Sequence, residues 1–108
     1  MTAKPVVLRQ SARDDLRDAV VYYALEAGPR VAERFIEAYE AAYRRLEFTP
    51  GIGSPRYEHE FGLPGLRSLQ LDRFPYLIFY VEYVDQLEIW RIPHAQRHIP
   101  ASLGEPKD

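Results

Sequence analysis

The sequence predicts an α+β domain of the order β-α-α-β-β-β, in which a helical hairpin packs on one face of a small, mainly antiparallel sheet. Three observations predict this fold class. Two long segments with an apolar residue every three or four positions follow a short apolar run near the amino terminus. A stretch rich in proline and glycine then breaks the helical pattern. The rest of the chain carries three strand-like segments, and the short turns between them favour antiparallel pairing.

A chain of 108 residues, of which 46% are hydrophobic, predicts one domain over residues 1–108, with its core drawn from about residues 5–103. It contains no cysteine, which excludes disulfides, thiolate metal sites and cysteine nucleophiles. The net charge is −2 with both signs mixed along the chain, so we expect no direct binding to DNA. No segment has the length of a membrane span or the apolar core of a signal peptide, and we therefore expect a cytoplasmic protein.

The first strand and the helix boundaries are predicted from local signals. Residues 5–9 are a short apolar run and are predicted to form the first strand. Ser11 is predicted to cap the first helix, with Asp14 in the capping-box position three residues later. Gly28 is predicted to end this helix, and Pro29 suits the first turn of the next one.

Both helices are predicted to be amphipathic. Apolar residues recur every three or four positions, which places them along one face of each helix. In the first helix these residues are Leu16, Ala19, Val20, Tyr23 and Ala27. In the second helix they are Ala32, Phe35, Tyr39, Ala42 and Leu46. The two faces predict a helical hairpin that covers a sheet.

The second half of the chain is predicted to contain a long connection and three strands. Residues 49–65 show no clear period and are predicted to form a long loop. Residues 66–71 are predicted to form the second strand. Residues 76–83 are apolar on both faces, which indicates a central strand. Residues 87–92 are predicted to form the last strand, which Pro93 ends.

The sequence shows no metal or nucleophile motif. His59, His94 and His98 lack a spacing that suits a metal site, because prolines bracket the last two. Ser54 and Ser68 lack the glycine-flanked turn of a serine nucleophile. We therefore expect no metal and no cofactor.

Arginines and aromatic residues alternate in the predicted strands. Such side chains can stack on RNA or anchor a protein interface. They are Arg67, Arg73, Arg91, Arg97, Tyr76, Tyr80 and Trp90. The alternative for the first three is pairing with surface carboxylates, namely Asp72, Glu82 and Glu88. For Arg97 a functional role is favoured.

Six short segments stand out by their order along the chain, namely residues 12–16, 23–35, 50–51, 64–67, 74–76 with Tyr80, and 91–97. Taken together, they resemble the RelE/ParE superfamily of bacterial type II toxins, and its ParE branch in particular, over roughly residues 5–103. Each matching segment is short, but their order and spacing along the chain are those of the superfamily.

Within the superfamily, RelE-like members cut messenger RNA in the ribosomal A site with basic residues and a tyrosine. The resemblance places three of these positions on Ser68, Gln70 and Leu77, and the tyrosine position near Leu103. Only Arg97 keeps the nuclease residue type. Serine, glutamine and leucine cannot readily activate a 2′-hydroxyl or stabilise a charged phosphorane.

The resemblance therefore implies a ParE-like toxin that inhibits DNA gyrase by protein contact and serves plasmid stabilisation. It also implies neutralisation by a cognate antitoxin, whose carboxyl-terminal segment wraps the helical hairpin and the sheet edge in a hetero-oligomer. We expect target contacts at Arg97, His94, Arg91, Tyr76, Tyr80 and Trp90. We expect antitoxin contacts at Leu16, Val20, Tyr23, Phe35, Tyr39 and Arg67.

Two alternatives stay open. One is a divergent ribosome-dependent endoribonuclease that uses Arg97, His94, Arg67 and Arg73. The other is a non-toxic relative that only binds antitoxin. Enzyme activity is thus not expected of a ParE-like toxin and is expected only under the first alternative.

Overall fold

The order of elements agrees with the predicted α+β fold. A computed structural model describes residues 2–97, 99 and 103. It contains β1 (Val6–Leu8), α1 (Gln10–Glu26), α2 (Pro29–Phe48), a 3₁₀ turn (Pro50–Ile52), α3 (Glu58–Phe61), β2 (Leu66–Gln70), β3 (Leu77–Glu82) and β4 (Leu87–Arg91). The predicted order β-α-α-β-β-β is confirmed. The 3₁₀ turn and α3 lie within the connection that the sequence predicted as an irregular loop. None of the described helices is long and apolar enough to cross a bilayer.

The four strands form one mixed sheet in the order β1-β4-β3-β2. Strand β3 is antiparallel to both neighbours, so the predicted meander of the last three strands is confirmed. Strand β1 runs parallel to β4, with Val6 opposite Leu87 and Leu8 opposite Ile89. The helical hairpin makes this parallel pairing possible, because it carries the chain away from β1 before the meander begins.

Both long helices pack on one face of the sheet, as predicted. From the helices, the buried core residues are Ala12, Ala19, Phe35, Tyr39, Ala42 and Leu46. From the sheet and its margins, they are Leu69, Leu71, Tyr76, Ile78, Tyr80, Leu87, Ile89 and Ile92. The periodic stripe of α2 is therefore its buried face. Burial of one large apolar side chain contributes about 1.5–3 kcal/mol, so this layer stabilises the fold.

The opposite face of the sheet is covered as well. Its buried cluster consists of Leu66, Leu77, Phe79, Val81, Trp90 and Leu103. Partly buried residues from α3 and its neighbourhood and from the segment after β4 pack against this cluster, namely Tyr57, Phe61, Leu63, Ala95 and Ile99. This second layer explains why β3 is apolar on both faces.

The predicted cap of the first helix is wrong. Helix α1 begins at Gln10, and Arg9 occupies the capping position without a side-chain hydrogen bond. Ser11 lies inside the helix, and its hydroxyl donates to the carbonyl of Trp90 at 3.1 Å. The reason is that the backbone N–H of Arg9 donates to Ile89 at 2.9 Å, which fixes the end of β1 and turns the chain into the helix at once.

The boundary between the two helices agrees with the prediction. Helix α1 ends at Glu26, and Pro29 is the first residue of α2. Gly28 connects them with φ = 96°, a conformation that residues with a Cβ rarely adopt. The glycine thus allows the tight turn that sets α1 beside α2.

Candidate functional site

The end of β4 and the segment that follows it form one wall of a cavity whose other wall is α1. The cavity has a volume of about 530 Å³. We call it the arginine pocket, and its lining residues are Asp15, Asp18, Ala19, Tyr22, Tyr76, Arg91, Pro93, His94 and Arg97. It brings together Tyr76, Arg91, His94 and Arg97, all of which the sequence suggested as target contacts.

Arg91, at the carboxyl end of β4, is tied to α1 by a bidentate ion pair. Its Nε and Nη2 atoms donate to the two carboxylate oxygens of Asp15 at 2.8 and 3.0 Å. Asp15 Oδ2 also accepts the backbone N–H of Ile92 at 2.8 Å. The side chains of Arg91 and Asp15 are only 23% and 17% exposed. A bidentate pair fixes orientation as well as charge, so we interpret Arg91 as the residue that positions this wall of the pocket.

The alternative that strand arginines pair with carboxylates holds for Arg91, whose partner is Asp15, but the ion pairs of Glu82 and Glu88 differ from those predicted. Glu82 pairs with Lys4 at 2.7 Å, and Glu88 pairs with Arg9 at 3.0 Å. Asp72 forms no ion pair with any residue that the structure describes. The cause is the parallel pairing of β1 with β4, which brings the basic residues at the two ends of β1 beside these carboxylates.

Arg97 is exposed and lies beside α1. Its guanidinium carbon is 5.5 Å from the ring centre of Tyr22, within the range of a cation–π contact. Within the described part of the chain, no carboxylate forms an ion pair with Arg97. Asp18, which also lines the pocket, contacts Arg17 at 3.5 Å. The charge of Arg97 is therefore left without a salt bridge to the described residues.

Tyr76 is the centre of an aromatic cluster beside the pocket. Its ring packs edge-on against Phe35 at 5.2 Å, Tyr23 at 6.1 Å and His94 at 5.2 Å. The backbones of Tyr76 and His94 form an antiparallel bridge. His94 Nδ1 accepts the backbone N–H of Gln96 at 3.1 Å, which requires that this nitrogen carry no proton. These contacts fix the segment after β4 against the sheet.

Tyr76, which lines the pocket, and Tyr23, which packs against Tyr76, stay protonated at neutral pH. Burial raises the pKa of Tyr76 above its ordinary value of 10.0, the Tyr23 phenol adds to the rise, and the charge of Arg97 opposes it. Burial likewise raises the pKa of Tyr23, Tyr22 adds to the rise, and Arg97 again opposes it. Both phenols are therefore neutral hydrogen-bond donors. The shared effect of Arg97 also indicates that its charge lies near both hydroxyl groups.

Tyr80 and Trp90 do not reach the arginine pocket, although the sequence suggested them as target contacts. Tyr80 is fully buried; its hydroxyl donates to the Pro50 carbonyl at 2.7 Å and accepts the Gly53 N–H at 2.9 Å. Trp90 is 8% exposed and belongs to the cluster on the opposite sheet face, where Arg9 lies over its ring at 3.7 Å. We therefore leave both residues out of the proposed contact set.

A second, more apolar cavity lies on the outer side of the helical hairpin. It has a volume of about 510 Å³. We call it the helix groove, and its lining residues are Leu8, Arg13, Leu16, Arg17, Val20, Val21, Ile36, Tyr39 and Glu40. Leu16, Val20 and Tyr39 are among the antitoxin contacts that the sequence suggested.

The remaining suggested antitoxin contacts lie elsewhere. Phe35 is fully buried under the hairpin, and Tyr23 packs against it at 5.4 Å. Arg67 is half-buried on β2, where its Nη1 atom donates to the Gly53 carbonyl at 2.8 Å. The sequence reasoning missed Val21 and Ile36, which are 49% and 37% exposed and line the groove. The sequence signal that could have found them is an apolar residue next to the buried stripe of its helix.

The positions of the RelE-like nuclease residues converge on a different cavity. Ser68, Gln70 and Leu77 line a cavity of about 360 Å³ on the sheet face opposite the long helices. Arg97 belongs to the lining of the arginine pocket and not to the lining of this cavity. Arg73 is exposed at the turn before β3, with φ = 69°. Of the residues suggested for a nuclease, only His94 and Arg97 share one cavity.

No group of His, Asp and Glu suited to a metal ion occurs among the residues that the structure describes. His59 lies in α3 and is exposed. His98, which the sequence analysis also considered, lies outside the described residues.

Comparisons with known proteins point to one family. The family described as "ParE toxin of type II toxin-antitoxin system, parDE" matches residues 6–99. A solved structure described as "Chromosomal ParDE TA system from P. aeruginosa" is similar in fold, with a TM-score of 0.73 at 22% sequence identity. The match covers 87% of this chain and 98% of that chain. No curated protein matches the sequence significantly.

Proposed function

Because the chain belongs to the family of ParE toxins of type II toxin–antitoxin systems, we propose that it inhibits DNA gyrase by protein contact and that a cognate antitoxin neutralises it. The observation that carries the first half is the arginine pocket. Its wall is fixed by the Arg91–Asp15 pair, and it presents Arg97 without a salt bridge to the described residues. Arginine and tyrosine around a rigid concave site are typical of residues that dominate binding at protein interfaces.

Contact is favoured over catalysis because the described residues at the suggested nuclease positions do not share one cavity. Cleavage of RNA requires a base for the 2′-hydroxyl and cations for the phosphorane in one cavity. Here Ser68, Gln70 and Leu77 line one cavity, whereas His94 and Arg97 line another. The distribution of these residues therefore supports a binding surface.

The second half of the proposal rests on the helix groove. An amphipathic helix can bury its apolar face in such a groove, and coupled folding of an antitoxin segment is one way to cover it. The exposed side chains of Val21 and Ile36 supply apolar surface that the hairpin itself does not cover. A toxin–antitoxin hetero-oligomer and a cytoplasmic location belong to the same proposal.

The direct test is DNA supercoiling by purified gyrase in the presence of this protein, prepared free of antitoxin. We expect loss of supercoiling that depends on the protein concentration and is reversed by the cognate antitoxin. Unchanged supercoiling at saturating protein, without a stabilised cleavage complex, would remove gyrase as the target.

The same preparation separates the two alternatives. Primer extension on messenger RNA from a translation reaction would reveal cleavage within codons if the chain were a ribosome-dependent nuclease. Induced expression that leaves growth unchanged, with a folded product that binds antitoxin, would indicate a non-toxic relative. We expect neither result.

A further inference from the structure

We propose that the arginine pocket is a receptor for a single carboxylate, an Asp or Glu side chain of a protein partner, held by Arg97 between Tyr22 and Tyr76. The inference deepens the proposed function, and it rests on that function in taking the partner to be the target protein. It goes further by naming the chemistry of the group that the pocket accepts.

The first argument is the surplus of hydrogen-bond donors. Arginine offers five N–H donors, and each phenol offers one O–H donor. Arg97 forms no ion pair, and the hydroxyls of Tyr22 and Tyr76 form no hydrogen bond, with any residue that the structure describes. A group rich in acceptors is therefore the complementary ligand, and a carboxylate accepts up to about four hydrogen bonds.

The second argument is the balance of charge in the pocket. Arg91 is neutralised by Asp15, whose two oxygens are both engaged. Asp18 also lines the pocket, but its carboxylate contacts Arg17, a residue outside the pocket lining, at 3.5 Å. His94 accepts a hydrogen bond at Nδ1, as a neutral imidazole does. Among the described residues, Arg97 is thus the one cation of the pocket lining that is not held in an ion pair.

This balance favours a carboxylate over a nucleic acid. A strand of RNA or DNA carries one negative charge per nucleotide and needs several cations in a row. Of the two guanidinium groups that line the pocket, that of Arg91 is paired with Asp15, which leaves that of Arg97, and the whole chain has a net charge of −2. A single acidic side chain is matched by a single arginine, which can bind a carboxylate with two parallel hydrogen bonds.

The third argument is that the pocket is preformed. Tyr76 is held by contacts with Phe35, Tyr23 and His94, and Tyr22 packs edge-on against Tyr23 at 5.3 Å. Fixed rings need little ordering when a ligand binds, and they can pack along the methylene stem of a Glu side chain. At about 530 Å³ the cavity also has space for the residues that flank the acidic one.

The test is a titration of the full-length, isotope-labelled protein followed by NMR. The probe is the blocked peptide Ac-Ala-Ala-Glu-Ala-Ala-NH2, and the matched control peptide carries Gln in place of Glu. We expect saturable shifts of the Arg97 Nε–H and of the Tyr22 and Tyr76 rings, with at least tenfold weaker binding of the Gln peptide. Equal binding of both peptides, or no shift at Arg97, would overturn the proposal.

Variants locate the site. Arg97→Gln should abolish peptide binding, and Tyr22→Phe should weaken it about two- to threefold through loss of one donor. Arg44 is an exposed arginine on α2 outside the pocket, so Arg44→Gln should leave peptide binding unchanged. Arg97 and Arg44 are both exposed and should tolerate substitution. Thermal unfolding of each variant checks that it is folded. Loss of peptide binding in Arg44→Gln as well would mean nonspecific charge attraction and would contradict the proposal.

Two further probes distinguish the sources of an anion. Inorganic phosphate and a five-nucleotide single-stranded DNA should bind more weakly than the Glu peptide. Tighter binding of either probe at Arg97 would overturn the carboxylate assignment in favour of a phosphate ligand. If the Glu peptide binds but gyrase is not inhibited, the carboxylate site stands and the proposed target fails. If gyrase is inhibited but the peptide does not bind, the proposed target stands and the carboxylate site fails.

Discussion

The arginine pocket and the helix groove are similar in volume and differ in how they are built. The pocket is assembled from α1, β4 and the segment after it, and its geometry depends on an ion pair between residues 76 positions apart. The groove is lined mainly by the two consecutive helices and consists largely of aliphatic side chains. A partner in the groove gains mainly from apolar burial, whereas a partner in the pocket gains from charge and hydrogen bonds.

This difference predicts that the two surfaces can be damaged separately. A substitution in the pocket should affect target inhibition and leave antitoxin binding intact, and a substitution in the groove should do the opposite. The comparison fails if one exposed residue proves essential to both activities.

The largest effect is expected for the ion pair that builds the pocket. Asp15→Ala leaves the largely buried guanidinium of Arg91 without its partner and should lower the free energy of unfolding by about 2–3 kcal/mol. Asp18→Ala removes an exposed carboxylate from the same helix and should change the free energy of unfolding by less than about 0.5 kcal/mol. Urea unfolding measures both. Equal small losses would mean that the Arg91–Asp15 pair does not hold the pocket wall.

A substitution in the helix groove should weaken antitoxin binding without unfolding the protein. Ile36→Asp places a charge in the apolar groove and should weaken antitoxin binding by about 30- to 100-fold, the equivalent of about 2–3 kcal/mol. Leu25→Asp is the matched control, because Leu25 is 78% exposed and lies outside the groove lining. Titration calorimetry with the cognate antitoxin measures both. Similar weakening by the control would place the antitoxin elsewhere on the hairpin.

A substitution at Tyr80 should lower stability and leave the arginine pocket and the helix groove intact. Its hydroxyl satisfies the Pro50 carbonyl and the Gly53 N–H, so Tyr80→Phe leaves two buried groups unpaired and should cost about 1–3 kcal/mol. We expect gyrase inhibition per folded molecule to stay at the level of the parent protein. A specific loss of inhibition in a fully folded Tyr80→Phe variant would return Tyr80 to the target contacts.

The smallest effect concerns titration of Tyr76 in the pocket and of Tyr23, which packs against Tyr76. Burial raises the pKa values of Tyr23 and Tyr76 above 10.0, so their contribution to stability is complete below about pH 10 and is lost as the pH rises through the folded-state values. Because the charge of Arg97 opposes the rise, Arg97→Ala should shift tyrosine titration, followed by absorbance at 295 nm, to still higher pH. An unchanged titration curve would mean that Arg97 lies far from both hydroxyls.

The order of elements and the buried stripe of α2 were predictable, because both follow from local periodicity in the sequence. The parallel pairing of β1 with β4 was not, since a strand of three residues carries no signal for its partner. The same pairing decided the ion pairs of Glu82 with Lys4 and of Glu88 with Arg9, whereas the sequence offered these carboxylates as alternative partners of the strand arginines.

The candidate site was predictable only in part. Arg97, His94 and Tyr76 were singled out by residue type, and the structure places them in one cavity. Tyr80 was grouped with them because strand alternation reveals which residues share a face but not whether a hydroxyl is satisfied inside the core. Asp15 was missed as a pocket residue, because the rotation of α1 about its axis relative to the end of β4 is set by tertiary packing.

The most direct test of the central claim is gyrase supercoiling with two arginine variants compared at equal thermal stability. Arg97→Ala removes the cation of the arginine pocket, whereas Arg44→Ala removes an exposed arginine outside it. We predict that Arg97→Ala raises the concentration needed for half-inhibition at least tenfold and leaves antitoxin affinity unchanged, while Arg44→Ala inhibits like the parent protein. Equal inhibition by the parent protein and both variants would contradict the assignment of the arginine pocket as the target-binding site.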